Sequence, residues 1–194
     1  HFVYAEQNAG LEDVKARPVN ADFSLGDELI VASGVSQIRV QDNYVSYSKV
    51  EGENRVAYFR EIPSGTETQI GVIGSTNNNL GSWFIHPPTN TAVLYNATLV
   101  TLDIRVGEMG TAVEGDPVYT VDASNFRDVG SFFSSNIPSA ISRDGSVLAL
   151  LLNAPMDYSA CQSDADCTGP GQICGNNDRC TVQQNVVLMI ELES

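Results

Sequence analysis

The sequence predicts an all-β domain, and three observations lead to this fold class. The 194 residues are 42% hydrophobic and 18% charged, which is a globular composition. Almost no segment has the periodicity of a helix. Instead, short β-branched and aromatic runs are separated by Gly, Asn, Asp and Pro, as in domains built from many short strands. The predicted strands are Glu28–Ala32, Tyr44–Tyr47, Arg55–Arg60, Ala92–Tyr95, Thr98–Val106, Pro117–Val121, Ser146–Leu152 and Asn185–Glu191.

Three segments of the chain share one design, which indicates an internal repeat. They read DFSLGDELIV from Asp22, FIHPPTNTAVL from Phe84 and AISRDGSVLAL from Ala140. Each has an apolar residue, then a small or polar one, a turn, and an apolar strand. The apolar anchors are Phe23, Ile85 and Ile141, at spacings of 62 and 56 residues.

A second element recurs in phase with the first: VAYFREI, VYTVDAS and VVLMIEL, at 56–62, 118–124 and 186–192. The N-terminal segment FVYAEQ resembles this second element, without the first element of a unit before it. We therefore expect one β domain over 1–194, made of a leading strand and three units. Their approximate ranges are 1–10 for the strand and 18–76, 80–130 and 131–194 for the units.

A strand, a short turn, an apolar strand and a further strand about 25 residues on resemble the blades of a β-propeller. The segment NIPSAISRDGSVLALLL at 136–152 is most similar to Tol-system propellers, in which an apolar-Ser-x-Asp-Gly turn precedes a strand. The resemblance implies about three four-stranded blades plus the leading strand. Propellers close with four to eight blades, so we expect an excerpt of a larger propeller. The alternative is a β-sandwich.

All four cysteines, Cys161, Cys167, Cys174 and Cys180, fall within one stretch rich in turn residues. This pattern predicts a disulfide-stapled hairpin at 160–181, inserted between two strands of the third unit. Three pairings are possible, and we favour the interleaved one, Cys161–Cys174 with Cys167–Cys180. A four-thiolate zinc site is the competing interpretation, but such sites use closer cysteine pairs. The stretch resembles cysteine-rich segments of extracellular bacterial proteins. Disulfides predict a secreted, periplasmic or cell-surface location.

The hairpin also contains candidate calcium ligands. Asp164, Asp166 and Asp178 supply carboxylate oxygens, and Asn176 and Asn177 supply amide oxygens. Hard oxygen donors on a stapled loop suit Ca²⁺, although their spacing is not that of an EF-hand. The alternative is that these residues simply form tight turns, where Asp and Asn are common.

The two histidines, His1 and His86, define the alternative function, a secreted copper oxidoreductase. An N-terminal histidine with a second imidazole resembles the histidine brace of lytic polysaccharide monooxygenases, and nitrogen ligands suit Cu(II). Against this, His86 lies in the turn position of the repeat. The single tryptophan, Trp83, also gives little sign of a flat aromatic face for a polysaccharide.

The remaining patterns favour a binding or scaffold module without catalysis. With two histidines, each of which has a structural explanation, a Ser-His-Asp set is not expected. Ten basic against 24 acidic residues give a net charge of −14, which argues against a nucleic-acid partner. No apolar run approaches the ~20 residues of a membrane span. We expect a protein partner or self-association through sheet edges, to which the strand at 1–10 contributes.

Overall fold

The structure is a computed structural model that describes residues 1–75, 81–97, 101–122, 139–169, 172–174 and 179–192. Antiparallel strands dominate this part of the chain, which confirms the all-β prediction. Sheet 1 contains β1 Phe2–Asn8, β2 Leu11–Arg17, β3 Leu29–Gln41, β4 Tyr44–Glu51, β5 Asn54–Glu61 and β6 Thr68–Ser75. Sheet 2 contains β7 Gly81–His86, β8 Thr91–Ala97, β9 Thr101–Glu108 and β10 Tyr119–Asp122. Sheet 3 contains β11 Ser139–Ile141, β12 Val147–Ala160, β13 Ile173–Cys174 and β14 Arg179–Glu191.

Sheet 1 has six strands in sequence order: β3–β6 fall within the predicted first unit, 18–76, and β1 and β2 precede it. Its third strand is long enough to pair with β2 through its first part and with β4 through its last part. Gly34 and Gln37 flank the changeover, with φ of +64° and +54°. Left-handed residues bulge a strand and increase its twist, so β3 can serve both neighbours.

The segment predicted as a leading strand, 1–10, forms a local hairpin. β1 pairs along its whole length with β2, from Phe2 opposite Arg17 to Asn8 opposite Leu11. The sequence pattern predicts no strand over residues 11–17, the segment that forms β2. One side of β1 is therefore paired within the chain, and its other side forms the edge of sheet 1.

Sheets 2 and 3 each contain four strands, as expected of blades. Sheet 2 is a simple meander in the order β10-β9-β8-β7. Sheet 3 has the order β11-β12-β14-β13, and its centre is the long hairpin of β12 and β14. The number of blades and membership of a larger propeller remain predictions.

The three sheets are layered, and β8 in the middle layer is buried on both faces. Ala92 and Leu94 belong to the cluster shared with sheet 1, whereas Val93 and Tyr95 belong to the cluster shared with sheet 3. The cluster between sheets 1 and 2 also includes Ala57, Phe59, Ile70, Ile73, Trp83, Ile85 and Val113. The cluster between sheets 2 and 3 also includes Leu102, Ile104, Ile141, Leu148, Leu150 and Ile190. A third cluster, within sheet 1, contains Val14, Ala16, Val31, Ala32, Val35, Val45, Tyr47 and Ile62.

Two of the three predicted repeat anchors are core residues and one is not. Ile85 and Ile141 are 2% and 9% exposed, whereas Phe23 is 87% exposed. Phe23 lies in a turn with φ of +64°, closed by its own amide donating to the carbonyl of Asn20. The interpretation of Phe23 as an apolar anchor is therefore wrong, because the turn presents its ring to solvent.

The backbones of sheets 1 and 2 come into close contact at the start of β7. A Cβ atom on Gly81 would lie 1.5 Å from the carbonyl oxygen of Ile73 in β6. Only glycine permits this contact between backbones. Gly81 therefore allows β7 to lie directly against β6 at this point.

Candidate functional site

The cysteine-rich segment forms the far end of the β12–β14 hairpin. The ladder runs from Val147 opposite Glu191 to Ala160 opposite Arg179. The tip, residues 161–180, comprises the segment beyond this last pair and the first two residues of β14. Disulfides join Cys161 to Cys174 and Cys167 to Cys180, the interleaved pairing that the sequence favoured. The predicted disulfide bonds are thus confirmed, and they lie between two strands of the third sheet.

Two of the predicted calcium ligands hold the tip in shape. The Asp166 carboxylate accepts hydrogen bonds from the amides of Gln162 and Ser163, at 2.8 and 2.9 Å. These amide donors lower the pKa of Asp166 below its ordinary value. The Asp164 carboxylate accepts from the amide of Cys174 at 2.7 Å. Both carboxylates therefore organise the loop backbone, as in the tight-turn alternative.

The third predicted calcium ligand, Asp178, lies outside the described residues, as do Asn176 and Asn177. The structure therefore leaves the calcium site a prediction.

The two histidines lie at the ends of strands in different sheets. His1 immediately precedes β1 of sheet 1, and His86 ends β7 of sheet 2. The Nδ1 atom of His86 is 2.7 Å from the hydroxyl of Thr89, in the 3-10 turn Pro87–Thr89. His86 also stacks against Phe84, with ring centroids 6.2 Å apart. These contacts fit the expected turn role of His86, and the copper site remains a prediction.

The Ser-x-Asp-Gly turn of the third unit forms a compact hydrogen-bonded loop before β12. Asp144 accepts from the hydroxyls of Ser142 and Ser146, at 2.6 and 2.8 Å, and from the Ser146 amide at 3.2 Å. These bonds lower the pKa of Asp144 to about 2. The Ser142 hydroxyl in turn accepts from the Val147 amide at 2.9 Å. All of these groups stabilise the turn, so the Ser-x-Asp-Gly pattern has a structural explanation.

The tryptophan at 83 is fully buried between sheets 1 and 2. The guanidinium of Arg39 lies 4.5 Å from its ring centroid, and one nitrogen of that group donates to the Ser82 hydroxyl at 2.8 Å. Burial lowers the pKa of Arg39. Trp83 therefore belongs to the packing between sheets and is not part of an exposed aromatic surface.

A cavity of about 380 Å³ opens between β6 of sheet 1 and β8 and β9 of sheet 2. Its lining includes Leu94, Val113, Asn96 and Arg105. The Arg105 guanidinium donates to the carbonyl of Gly115 at 2.8 Å. The sequence does not predict this cavity, because its walls come from distant strands. The Asn96 amide donates to the Val72 carbonyl at 3.4 Å, a contact that joins β8 to β6 beside the cavity.

The outer face of sheet 3 is apolar and open to solvent. Leu151, Val187 and Met189 are 40%, 61% and 68% exposed, and all three lie on the face that points away from sheet 2. On the opposite face of the same strands, Leu150 and Ile190 are buried against sheet 2. Contiguous exposed apolar side chains are a feature of interaction surfaces.

No protein-family model, curated protein or solved structure matches the chain. In the described part of the chain, no helix has both the length and the apolar character needed to cross a membrane.

Proposed function

We propose that this chain is a non-enzymatic module of an extracellular or cell-envelope protein that binds a protein partner through sheet 3. We further propose that its sheets are blades of the propeller type. The face-to-face layering of sheets 1, 2 and 3 supports this assignment, since blades bury their faces only against neighbouring blades. Two disulfides are compatible with an oxidising compartment.

The two faces of sheet 3 differ in solvent exposure, and this difference is the main support for the proposal. One face is packed against sheet 2 through Leu148, Leu150 and Ile190, which are at most 5% exposed. The other presents Leu151, Val187 and Met189 to solvent. Covering apolar surface of this kind contributes about 25 cal/mol per Å². A partner that covers this face therefore gains a hydrophobic contribution to binding.

The chemistry of the face defines the partner. The register places Leu151 opposite Val187, Ala149 opposite Met189 and Val147 opposite Glu191, so five apolar positions are bordered by Glu191 at one end. Asp157, opposite Thr181, takes an outer register position further along the ladder. The partner that fits the apolar part is a protein with an apolar sheet face, the kind of surface that sheet 2 already presents to the inner side. Residues 147–151 and 187–191 include no Lys or Arg, so this part of the face offers a polyanion no cation.

A photo-cross-linking experiment tests the proposal. A photoreactive phenylalanine analogue is placed at Val187 in one variant and at Val50 of β4, itself 50% exposed, in a matched control. Both variants are irradiated in the native cell envelope or medium. We expect a defined protein adduct at position 187 and none at position 50, and mass spectrometry then identifies the partner. Equal labelling at both positions, or none at 187, contradicts the proposal.

The purified pair provides the quantitative test. Val187→Glu with Met189→Glu buries unpaired carboxylates in the interface, at a cost of several kcal/mol. We expect an affinity loss of at least about tenfold for the double variant and almost none for Val50→Glu. Calorimetry of the wild type should show a negative heat-capacity change, the signature of apolar burial.

A further inference from the structure

The backbone of sheet 3 gathers cysteines independently of their disulfide bonds. Cys174 of β13 lies opposite Cys180 of β14 in the ladder. Cys161 directly follows Ala160, the last paired residue of β12, which lies opposite Arg179. Strand pairing therefore places Cys174 opposite Cys180, and Cys161 lies just beyond the end of the neighbouring β12–β14 ladder.

The sulfur atoms form one compact group. The Sγ atoms of Cys161, Cys167 and Cys180 all lie within 4.8 Å of one another. The sulfur of Cys174 is bonded to that of Cys161 but lies outside this group of three. Cys161 and Cys180 are 5% and 0% exposed. The two bridges thus lie side by side, partly enclosed by the tip.

We propose that the tip has a second, reduced state in which its four thiolates bind one Zn²⁺-type cation in tetrahedral geometry. Zn–S bonds of about 2.3 Å place ligating sulfurs about 3.8 Å apart. The sulfurs of Cys161, Cys167 and Cys180 already lie within 4.8 Å of one another. Once its bridge to Cys161 is reduced, the Cys174 side chain is free to rotate and supply the fourth ligand. Thiolate ligands select soft or borderline cations such as Zn²⁺ over Ca²⁺ and Mg²⁺.

The interconversion balances with a dithiol as reductant. Each bridge takes up two electrons and two protons from one dithiol, which becomes a cyclic disulfide, so two equivalents produce four thiols. Binding of the cation then releases the four thiol protons. In the reverse direction two equivalents of a cyclic disulfide oxidise the four thiolates, take up four protons from water to become dithiols, re-form both bridges and release the cation. The same four residues hold the tip closed in either state.

The fold explains why sequence spacing argued against zinc. The gaps between successive cysteines are five, six and five residues, longer than those within usual ligand pairs. In this hairpin, however, the pairing of β13 with β14 places Cys174 directly opposite Cys180 across a gap of five residues. Spacing along the chain is therefore a poor guide to ligand geometry here.

A cobalt titration tests the site, using the intact chain after complete reduction with a phosphine under anaerobic conditions. We expect thiolate-to-Co²⁺ charge-transfer absorption together with the visible bands of a tetrahedral ion, saturating at one equivalent and abolished by Zn²⁺. The oxidised protein should show neither signal. Native mass spectrometry should find one Zn²⁺ per reduced chain.

The matched variant is Cys161→Ser with Cys174→Ser, which leaves Cys167 and Cys180. We expect its affinity for Co²⁺ to fall by more than about 100-fold, since two of four ligands are gone. Absence of the charge-transfer band in the reduced wild type overturns the proposal, and so does equal affinity in the double variant. Neither outcome bears on the partner-binding proposal, whose variants leave all cysteines intact.

Discussion

The two ends of the β12–β14 hairpin are stabilised in different ways. At the base, residues 147–151 paired with 187–191, one face packs into the core shared with sheet 2. At the tip, residues 161–180, two disulfides and the Asp164 and Asp166 carboxylates fix the backbone. One continuous ladder therefore joins a region held by apolar packing to a region held by covalent bonds and side-chain caps.

The difference shows where each kind of stabilisation is needed. The base has a neighbouring sheet on which to bury Leu148 and Leu150, and such burial is the main favourable term in folding. The core cluster between sheets 2 and 3 contains no described residue of the tip. Short segments without a core of this kind commonly depend on disulfides. We therefore expect cavity-creating substitutions to destabilise the base, and reductant to loosen the tip.

The largest expected effect comes from Leu148→Ala at the base. Leu148 is fully buried, and truncating a buried leucine costs about 2–5 kcal/mol through lost transfer energy and a residual cavity. Leu151→Ala, on the exposed face of the same strand, is the control and should cost less than about 1 kcal/mol. Urea denaturation measures both values. Equal losses would show that the two faces do not differ as described.

Reduction of the tip should have a smaller and more local effect. Each bridge closes a loop between residues 13 apart, worth roughly 3 kcal/mol or less. We expect amide hydrogen exchange to accelerate within 160–181, while protection at 148–150 and 188–190 is retained. The far-UV circular dichroism spectrum should keep its β character. A cooperative collapse of that spectrum on adding reductant at 25 °C would be decisive against an inserted hairpin.

The smallest expected effect concerns pH and the turn that leads into the base. The folded-state pKa of Asp144 is about 2, below its ordinary value of 3.8. Asp144 therefore stabilises the fold fully above about pH 4, and this contribution is lost as the pH falls towards 2. Asp144→Asn should reduce the difference in urea midpoint between pH 5 and pH 2.5. Glu53→Gln, at an exposed turn, provides the control, and identical pH dependence in all three proteins would contradict this role.

Local patterns were sufficient to predict much of this hairpin. Apolar residues of β12 and β14 identified both strands, and turn residues around the cysteines placed an insertion between them. The interleaved disulfides agree with the favoured pairing. These features depend on neighbours along the chain, so they can be inferred without knowledge of distant contacts.

Other features depend on contacts that a local pattern does not contain. The continuation of β3 from β2 to β4 requires left-handed residues at Gly34 and Gln37, and only glycine signals such a conformation in sequence. Phe23 is an apolar residue of the kind that usually packs in a core, yet its turn exposes the ring to solvent. The role of Asp166 depends on the amides that face it within the folded tip. For each of these, tertiary geometry decides the outcome.

The self-closing tip has a consequence for how this chain can change over time. The last ladder pair, Ala160 opposite Arg179, separates the sheet from a segment that carries its own covalent closure. Insertions, deletions and new surface chemistry between the bridges place no demand on the buried side chains of sheets 2 and 3. The tip is therefore the position where the length and surface residues of the chain can change while the scaffold is kept, and where a foreign peptide can be grafted for display.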